Sequence, residues 1–587
     1  MKKILALILC LCMVFALAAC GESAPAEQPA QQTAQQPAEQ PAEQAAEQPA
    51  EQAAEQPAEQ AAEQPNEQAA EQPAEAPGIA QITIGTTAAI ETATNGEYAY
   101  DMLSSGTTQM PLVWQDTEGN YHPLLASYET KDSLTWTYTV QEGMKWDDGV
   151  DVTAEDILFT LQYEDAQGSA NLIDQTDSEG KTTPAKYSGY ELSADGRSIS
   201  LTLASANVRE LGNMTSFRVY PKHLWEGKEE LSEEELRIGC GPYMFESFSR
   251  DSGTISFVPN PYFPQQPHVA RLVYQLFDNE DTMFLALQNG DIDMTWVYSA
   301  GVPGTYQEVL AGSETVQLLS INATNAPSVL AFNNAKGPFA DENLRKAVVF
   351  ALDYEQFREY VGSAAADIPN AGFVPTSTVG YTETPKLTTD PAKAEEYMNA
   401  AGYTRNADGA FVNGDGEKAA FTLTYRADKN NQVSCAELIK TQLEAFGIEV
   451  TLEPLDGDSY NAKTSNKFSE NNITMEAALY GYTAAGMGMG NGLATIYVDG
   501  RHAVQGGAQV YDEQFQTALA AMAAAATPEE YLAAAADMQA FYAEHSPIVA
   551  LYWDSMTFGI SSRFDNIVID GAFGLNNVNN WLSITEK

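Results

Sequence analysis

Basic residues are scarce in this chain of 587 residues: 30 Lys and Arg stand against 81 Asp and Glu, a formal net charge of −51. A surface so negative is repelled by phosphate backbones and anionic headgroups, which argues against nucleic acid as a partner. Histidine is scarcer still. His122, His223, His268, His502 and His545 are scattered without ligand spacing, and neither an H-E-x-x-H helix nor a G-x-S-x-G elbow occurs, so an enzyme reading has little support. Cysteine is too rare for a disulfide framework: with Cys10, Cys12 and Cys20 at the extreme N-terminus, only Cys240 and Cys435 remain, bridged or free. One stretch, "LYGYTAAGMGMGNG" (Leu479–Gly492), has no charge at all. Its glycines do not make a dinucleotide loop, because the third glycine of G-x-G-x-x-G is missing whether counted from Gly486 or from Gly488. "EGKTTP" (Glu179–Pro184) resembles the end of a phosphate loop, but Gln175 stands where its first glycine belongs, and a polar loop is expected there. No catalysis and no cofactor are expected.

What is present begins with an export signal. Lys2 and Lys3 precede an apolar run from Ile4 to Phe15 that is short for a spanning helix, and Leu17-Ala18-Ala19-Cys20 resembles a bacterial lipobox. That resemblance implies cleavage before Cys20 and lipidation of its sulfur, anchoring the protein on the outer face of the cytoplasmic membrane. From Gly21 to Pro77 the chain repeats "PAEQAAEQ", with twelve glutamates and no lysine, arginine, aspartate or aromatic residue. Nothing here can form a core. Proline recurs too often for a continuous helix, so the segment reads as a self-repelling tether with a mean reach on the order of 40 Å. Removing the two leader lysines and these twelve glutamates from the total leaves −41 for Ile79 to Lys587.

Beyond the tether, strand-like and helix-like segments interchange, which is the pattern of an α/β protein. "QITIGTT" (Gln81–Thr87) alternates like a half-buried strand, and "LTWTYTV" (Leu134–Val140) reads as another. "KWDDGVDV" supplies a turn at Asp148-Gly149. Thr153 then caps a helix whose first turn holds Glu155 and Asp156. A helix over "DTMFLALQNG" stops at Asn289-Gly290, one over "QVSCAELIKTQLEAFG" stops at Gly447, and the Ala-rich stretch 514–544 breaks at Thr527-Pro528, where Thr527 can cap a second helix.

Several of these segments carry a resemblance. "PLLASYETKDSLTWTYTVQEGMKWDDGVDVTAEDILFTLQY" (Pro123–Tyr163) resembles the signature of the family 5 extracellular solute-binding proteins through Lys145, Trp146, Asp148, Gly149, Thr153, Ala154, Glu155 and Asp156. "IGCGPYMFESF" (Ile238–Phe248) resembles the family's G-T-G-P-Y element, with Cys240 where threonine is usual. "LQNGDIDM" and "LAFNNAKGPFADENLRKAVVFALD" (Leu330–Asp353) follow in family order, the latter matching through Phe332, Asn333, Pro338, Phe339, Asp341, Arg345 and Ala347.

The resemblance implies a two-lobed clamshell of the periplasmic-binding-protein type, with a two-crossover hinge and a small domain inserted in the first lobe. On this reading 1–20 is the signal, 21–78 the tether, 79–112, 205–330 and 548–587 lobe I, 113–204 the small domain and 331–547 lobe II, with crossovers near Leu330 and Ile548. The implied function is capture of an oligopeptide or similar small organic solute and its delivery, by a monomer, to the permease subunits of an ABC importer. Nickel, haem or sugar carriage on the same fold, and a receptor without transport, are the alternatives. Relatives that hold peptides place an aspartate just past a lobe II strand. Aligned here, Gly481 and Tyr482 take the strand-end positions and Ala485 the place of that aspartate, and no carboxylate occurs between Ala477 and Val498. Glu91, Glu97 or Asp554 could supply the charge instead. The expected ligand contacts are Tyr482, Thr483, Gly481, Tyr480, Trp553, Tyr552, Asn95 and Thr92, and no metal site is expected.

Overall fold

A computed structural model describes residues 78–87, 106–176, 180, 182–228, 230–296, 301–376, 380–464, 473–482, 508–570 and 574–587, with backbone only at 322–327 and 482. Its organising element is a single strand of 17 residues, Val316–Phe332. The first part, Val316 to Asn325, pairs antiparallel with Asp554–Ser561, and the last part pairs with Ile548–Ala550 on one side and Ala477–Tyr482 on the other. Around it runs an 11-stranded sheet in the order 243–249, 254–259, 272–276, 82–86, 294–295, 554–561, 316–332, 477–482, 420–426, 449–455, with 548–550 beside the long strand. The sheet's two halves, one mixed and one with parallel strands 477–482, 420–426 and 449–455, thus meet only at the long strand and its return partners. Register shifts in the long strand fall between Ile321 and Thr324 and between Ala326 and Val329. Such irregularities bend a strand and interrupt its ladder. Both lie between the halves, slightly before Leu330, and the return chain leaves its strand at Leu551–Trp553, slightly after Ile548.

Alternation along the sheet explains the apolar composition around the uncharged stretch. Ala477, Leu479, Leu330 and Phe332 enter one core with Ala436, Ile439 and Leu443 of helix Asn430–Phe446. Ala478, Tyr480, Val329 and Ala331 enter a second core on the opposite face, with Phe515, Tyr531 and Met538. A strand covered on both faces has no reason to alternate polar and apolar residues. The same fact corrects the expectation for Gln81–Thr87. Ile82–Thr86 is a strand, but Ile82, Ile84, Gly85 and Thr86 are all buried, because it lies between parallel partners 272–276 and 294–295. Gly85 gives these neighbours room: a Cβ would stand 2.5 Å from the Ile292 side chain and 2.9 Å from that of Met283, both of which would have to shift.

The helix ends follow their local signals. Asp156 accepts from the Thr153 N–H at 2.8 Å at the start of helix Ala154–Ala166, Gly290 and Gly447 close their helices at φ 78° and 107°, and the Thr527 hydroxyl accepts from the Glu530 N–H at 3.2 Å. A separate antiparallel sheet, in the order Ala126–Thr130, Thr135–Val140, Ser198–Leu203, Tyr187–Leu192, packs on helix Ala154–Ala166. Its core also takes in Met110, Leu211, Val219, Cys240 and Val578. Gln175–Thr176 pairs with Thr182–Thr183, and Glu179, in the polar loop expected there, lies outside the described residues.

Candidate functional site

The strand Ala477–Tyr482 ends where the two halves of the sheet meet. Tyr480 is buried there. Its hydroxyl donates to the Thr464 carbonyl at 2.8 Å, and its ring lies edge-on to Tyr460, whose own hydroxyl donates to the Leu479 carbonyl at 2.6 Å. Gly481 is exposed, and Tyr482 pairs through its backbone with Ala326. On the other side of the long strand, Asn325 pairs with Asp554. One residue of register therefore separates the positions facing Tyr482 and Asp554, although 71 residues of sequence intervene.

Tyr552 and Trp553 occupy the break between the two return strands. Tyr552 is buried in the core that holds helix Asn430–Phe446, while Trp553 enters the opposite core, its ring 5.9 Å from that of Phe373. The backbone of Trp553 exchanges two 2.9 Å hydrogen bonds with Asp367, and its indole Nε1 is buried without a hydrogen-bond partner. Asp554 is 4% exposed. It accepts from the Ser363 N–H at 2.8 Å, from the Ser363 hydroxyl and from the Ser555 N–H at 2.7 Å, and among the described residues no cation pairs with it. Burial pushes its pKa up, against those hydrogen bonds. The structure thus brings together Tyr480, Gly481, Tyr482, Tyr552, Trp553 and Asp554 around residues 325–329 of the long strand. Cys20, Glu91, Thr92, Asn95, Glu97, Thr483 and Ala485 lie outside the described residues. Ser363, which fixes the Asp554 carboxylate, gave no signal in the sequence: nothing local marks a serine as the partner of an acid 191 residues away.

The signature residues do structural work. Asp156 binds the Lys222 N–H at 3.0 Å as well as its own helix end, and Asp293 joins the Thr83 N–H at 2.8 Å to Arg563 at 2.9 Å. Asn333 donates to the Met475 carbonyl, and buried Arg345 to the Phe339 carbonyl at 2.7 Å. Asp147, inside the Trp146–Gly149 turn, holds both polar groups of the Gly239 backbone, but its Oδ1 is buried and unpartnered. Burial drives its pKa from 3.8 to about 7, the Asp148 charge adding to the rise and the Gly239 N–H opposing it. The folded protein therefore holds this proton more tightly than the unfolded chain, and stability falls as pH rises from about 4 to 7. The full cost above pH 7 is at most about 4 kcal/mol. Asp147→Asn keeps the shape and cannot ionise. It is expected to be more stable than the parent by about 1–4 kcal/mol in urea denaturation at pH 8, with less than half that gain at pH 5; a gain independent of pH, or a loss, rules the account out.

Cys240 and Cys435 are free and lie in different cores. Burial pushes both thiols up to about 12. His122 and His223 each pair with one carboxylate, His545 with Glu342 at 2.9 Å and Glu544 at 3.9 Å, His268 faces the Ile584 carbonyl, and His502 lies outside the described residues. Among the described residues, no group of three His, Cys, Asp or Glu side chains is placed to hold a metal ion, and no helix is long and apolar enough to cross a membrane.

A family model described as bacterial extracellular solute-binding proteins, family 5, middle part, matches residues 120–501. The chain is 22% identical over 340 residues to the oligopeptide-binding protein AppA of Bacillus subtilis, an alignment covering 55% of this chain and 58% of that relative. It is 22% identical over 374 residues to the nickel-binding periplasmic protein of Escherichia coli, covering 60% of this chain and 66% of that one. Among solved structures, AppA of B. subtilis in complex with a nonapeptide superposes with a TM-score of 0.71 at 18% identity, covering 87% of this chain and all of that one. The sequence alignments thus span less than two thirds of these curated relatives, and the superposition, at so low an identity, establishes the fold.

Proposed function

Because this chain belongs to the bacterial extracellular solute-binding proteins of family 5, we propose that it captures an oligopeptide or similar small organic solute in a cleft between two lobes and hands it to the permease subunits of an ABC importer. The observation that carries this reading is the way the halves are joined. Within the sheet the two halves are joined only through the long strand and its return partners, and the register irregularities fall at that junction. A sheet that is irregular at so narrow a junction can bend there, and bending of one half against the other is what closure around a solute requires. On this reading the described part of lobe I holds the 82–86 and 272–276 strands, lobe II the 420–426 and 449–455 strands, and the four-stranded unit is the inserted domain.

The cleft is bounded by Gly481, Tyr482 and Thr483 at the strand end, by Trp553 in the return segment, and by Thr92 and Asn95 after the first strand. In favour of this, Gly481 is exposed and the Trp553 indole N–H is an unused donor. Tyr480 and Tyr552 back the cleft from the two cores. With no carboxylate between Ala477 and Val498, a peptide's ammonium is served by Asp554, whose strand partner Asn325 adjoins the partner of Tyr482. A buried ammonium without such a partner costs several kcal/mol. The leader's lipobox-like end supports a lipid anchor at Cys20, which a mass spectrum of the N-terminal peptide from a membrane fraction checks directly.

A thermal-shift screen of the full chain against peptides, sugars and metal ions tests the function. Peptides are expected to raise the unfolding temperature, and Tyr482→Ala to weaken the best of them by about 1–2 kcal/mol, roughly 5- to 30-fold in Kd, at unchanged stability. Stabilisation by a metal alone, or turnover of any ligand, overturns the reading, and unchanged affinity removes Tyr482 from the site.

A further inference from the structure

Most arginines among the described residues reach a carboxylate, as expected in so acidic a chain. Arg209 does not. Among the described residues its guanidinium has neither an acid nor a hydrogen-bond acceptor, and its Nε is buried. The adjacent Glu210 does not serve it, because that fully buried carboxylate is taken by the Tyr187 hydroxyl at 2.5 Å, Asn213 Nδ2 at 3.1 Å and Lys186 Nζ at 3.1 Å. Burial pushes the Arg209 pKa down, the ordinary response of a cation taken out of water.

Arg209 instead lies over the ring of Tyr531, 5.9 Å from its centroid. Tyr531 is fully buried, and its hydroxyl also lacks a partner. The two residues come from different units: Arg209 follows the four-stranded sheet, and Tyr531 belongs to helix Pro528–His545. Beside them the Val208 N–H donates to the Ala525 carbonyl at 3.2 Å, so the two units touch at this point. A guanidinium over an aromatic face makes no hydrogen bond to the ring, so its N–H groups stay free, and their fork matches a carboxylate with two parallel hydrogen bonds.

We propose that Arg209, lying over the ring of Tyr531, is where this protein holds a carboxylate of its solute at the contact between the two units. The Tyr531 hydroxyl donates to the same group. This rests on the solute-binding reading above and adds the chemical class: the solute is an organic acid or a peptide with a free C-terminus.

The test titrates the full chain calorimetrically with tetra-alanine, with its C-terminal amide and with citrate, using the parent, Arg209→Gln and Arg209→Lys. The parent is expected to bind the free acid at least about tenfold tighter than the amide, a difference of about 1.4 kcal/mol. Arg209→Gln should abolish that preference and Arg209→Lys should keep part of it. Equal binding of acid and amide by the parent, or a preference that survives in Arg209→Gln, overturns the carboxylate site and leaves the peptide reading standing. Citrate bound by the parent and lost in Arg209→Gln, with neither peptide bound, keeps the site and overturns the peptide reading. If the parent binds none of the three, the site is overturned. Urea denaturation separates site loss from misfolding, since removing an unpaired buried charge should leave Arg209→Gln at least as stable as the parent.

Discussion

Gly304→Ala is expected to leave both halves of the sheet folded and to weaken solute binding at least about tenfold. Gly304 opens helix Gly304–Ala311, where alanine is intrinsically better than glycine by about 1 kcal/mol. Its own unit therefore has no objection to the change. The obstacle is the other half. A Cβ on Gly304 would stand 2.6 Å from the Gly362 carbonyl carbon and 2.6 Å from the Ser363 nitrogen, main-chain atoms that cannot rotate aside. Ser363 is the residue that binds Asp554, so this contact is braced from behind. Close by, Asn430 donates to Asp281 at 3.3 Å and to the Tyr306 hydroxyl at 3.1 Å, and Lys429 lies 3.9 Å from Glu280. These are the contacts a methyl wedge would separate. Calorimetry with the best peptide from the screen, paired with small-angle scattering, checks the prediction: weaker binding should accompany a larger radius of gyration in the liganded state. Affinity within about twofold of the parent would mean that Gly304 and Gly362 do not limit closure.

Gly239→Ala is expected to cost about 3 kcal/mol or more, at the upper end of overpacking effects. Gly239 and Gly241 flank Cys240 where the chain crosses residues 107–108. A Cβ on Gly239 would lie 1.9 Å from the Thr108 carbonyl oxygen, and one on Gly241 2.1 Å from that of Thr107. Neither strand of backbone can yield easily: the Gly241 N–H donates to the Thr108 carbonyl at 2.8 Å, and the Asp147 N–H to the Gly239 carbonyl at 2.9 Å. Gly189→Ala is the control, since a Cβ there meets nothing within 4 Å, and it should change stability by no more than about 0.5 kcal/mol. Urea denaturation of the two variants against the parent decides it; a Gly239 variant as stable as the Gly189 variant would refute the crowding argument.

What the sequence made legible was mainly local. Thr153, Gly290, Gly447 and Thr527 mark helix ends because the cap acts within four residues of itself, and each was found where its chemistry put it. The family motifs identified the fold, yet they carry turns, caps and crossings, so they say little about the solute. The site is another matter. Tyr480, Tyr552 and Trp553 are aromatic in an apolar run, and in a sheet covered on both faces such residues look alike whether they fill a core or wall a cleft. Asp554 with Ser363, and Arg209 with Tyr531, are pairs separated by hundreds of residues and joined only by the crossing of the long strand and the packing of the helix pair. No periodicity or spacing encodes such a meeting.

The two free thiols have a practical consequence. Cys240 and Cys435 are fully buried, and with both titrations pushed up to about 12 almost no thiolate exists at neutral pH. A maleimide dye would find neither. Cysteines introduced at Leu285 and Leu532, which are 55% and 40% exposed on helices of different units, would be the reactive thiols among the described residues. A donor and an acceptor fluorophore at those positions would follow the approach of the units as solute is added, with the natural cysteines left in place.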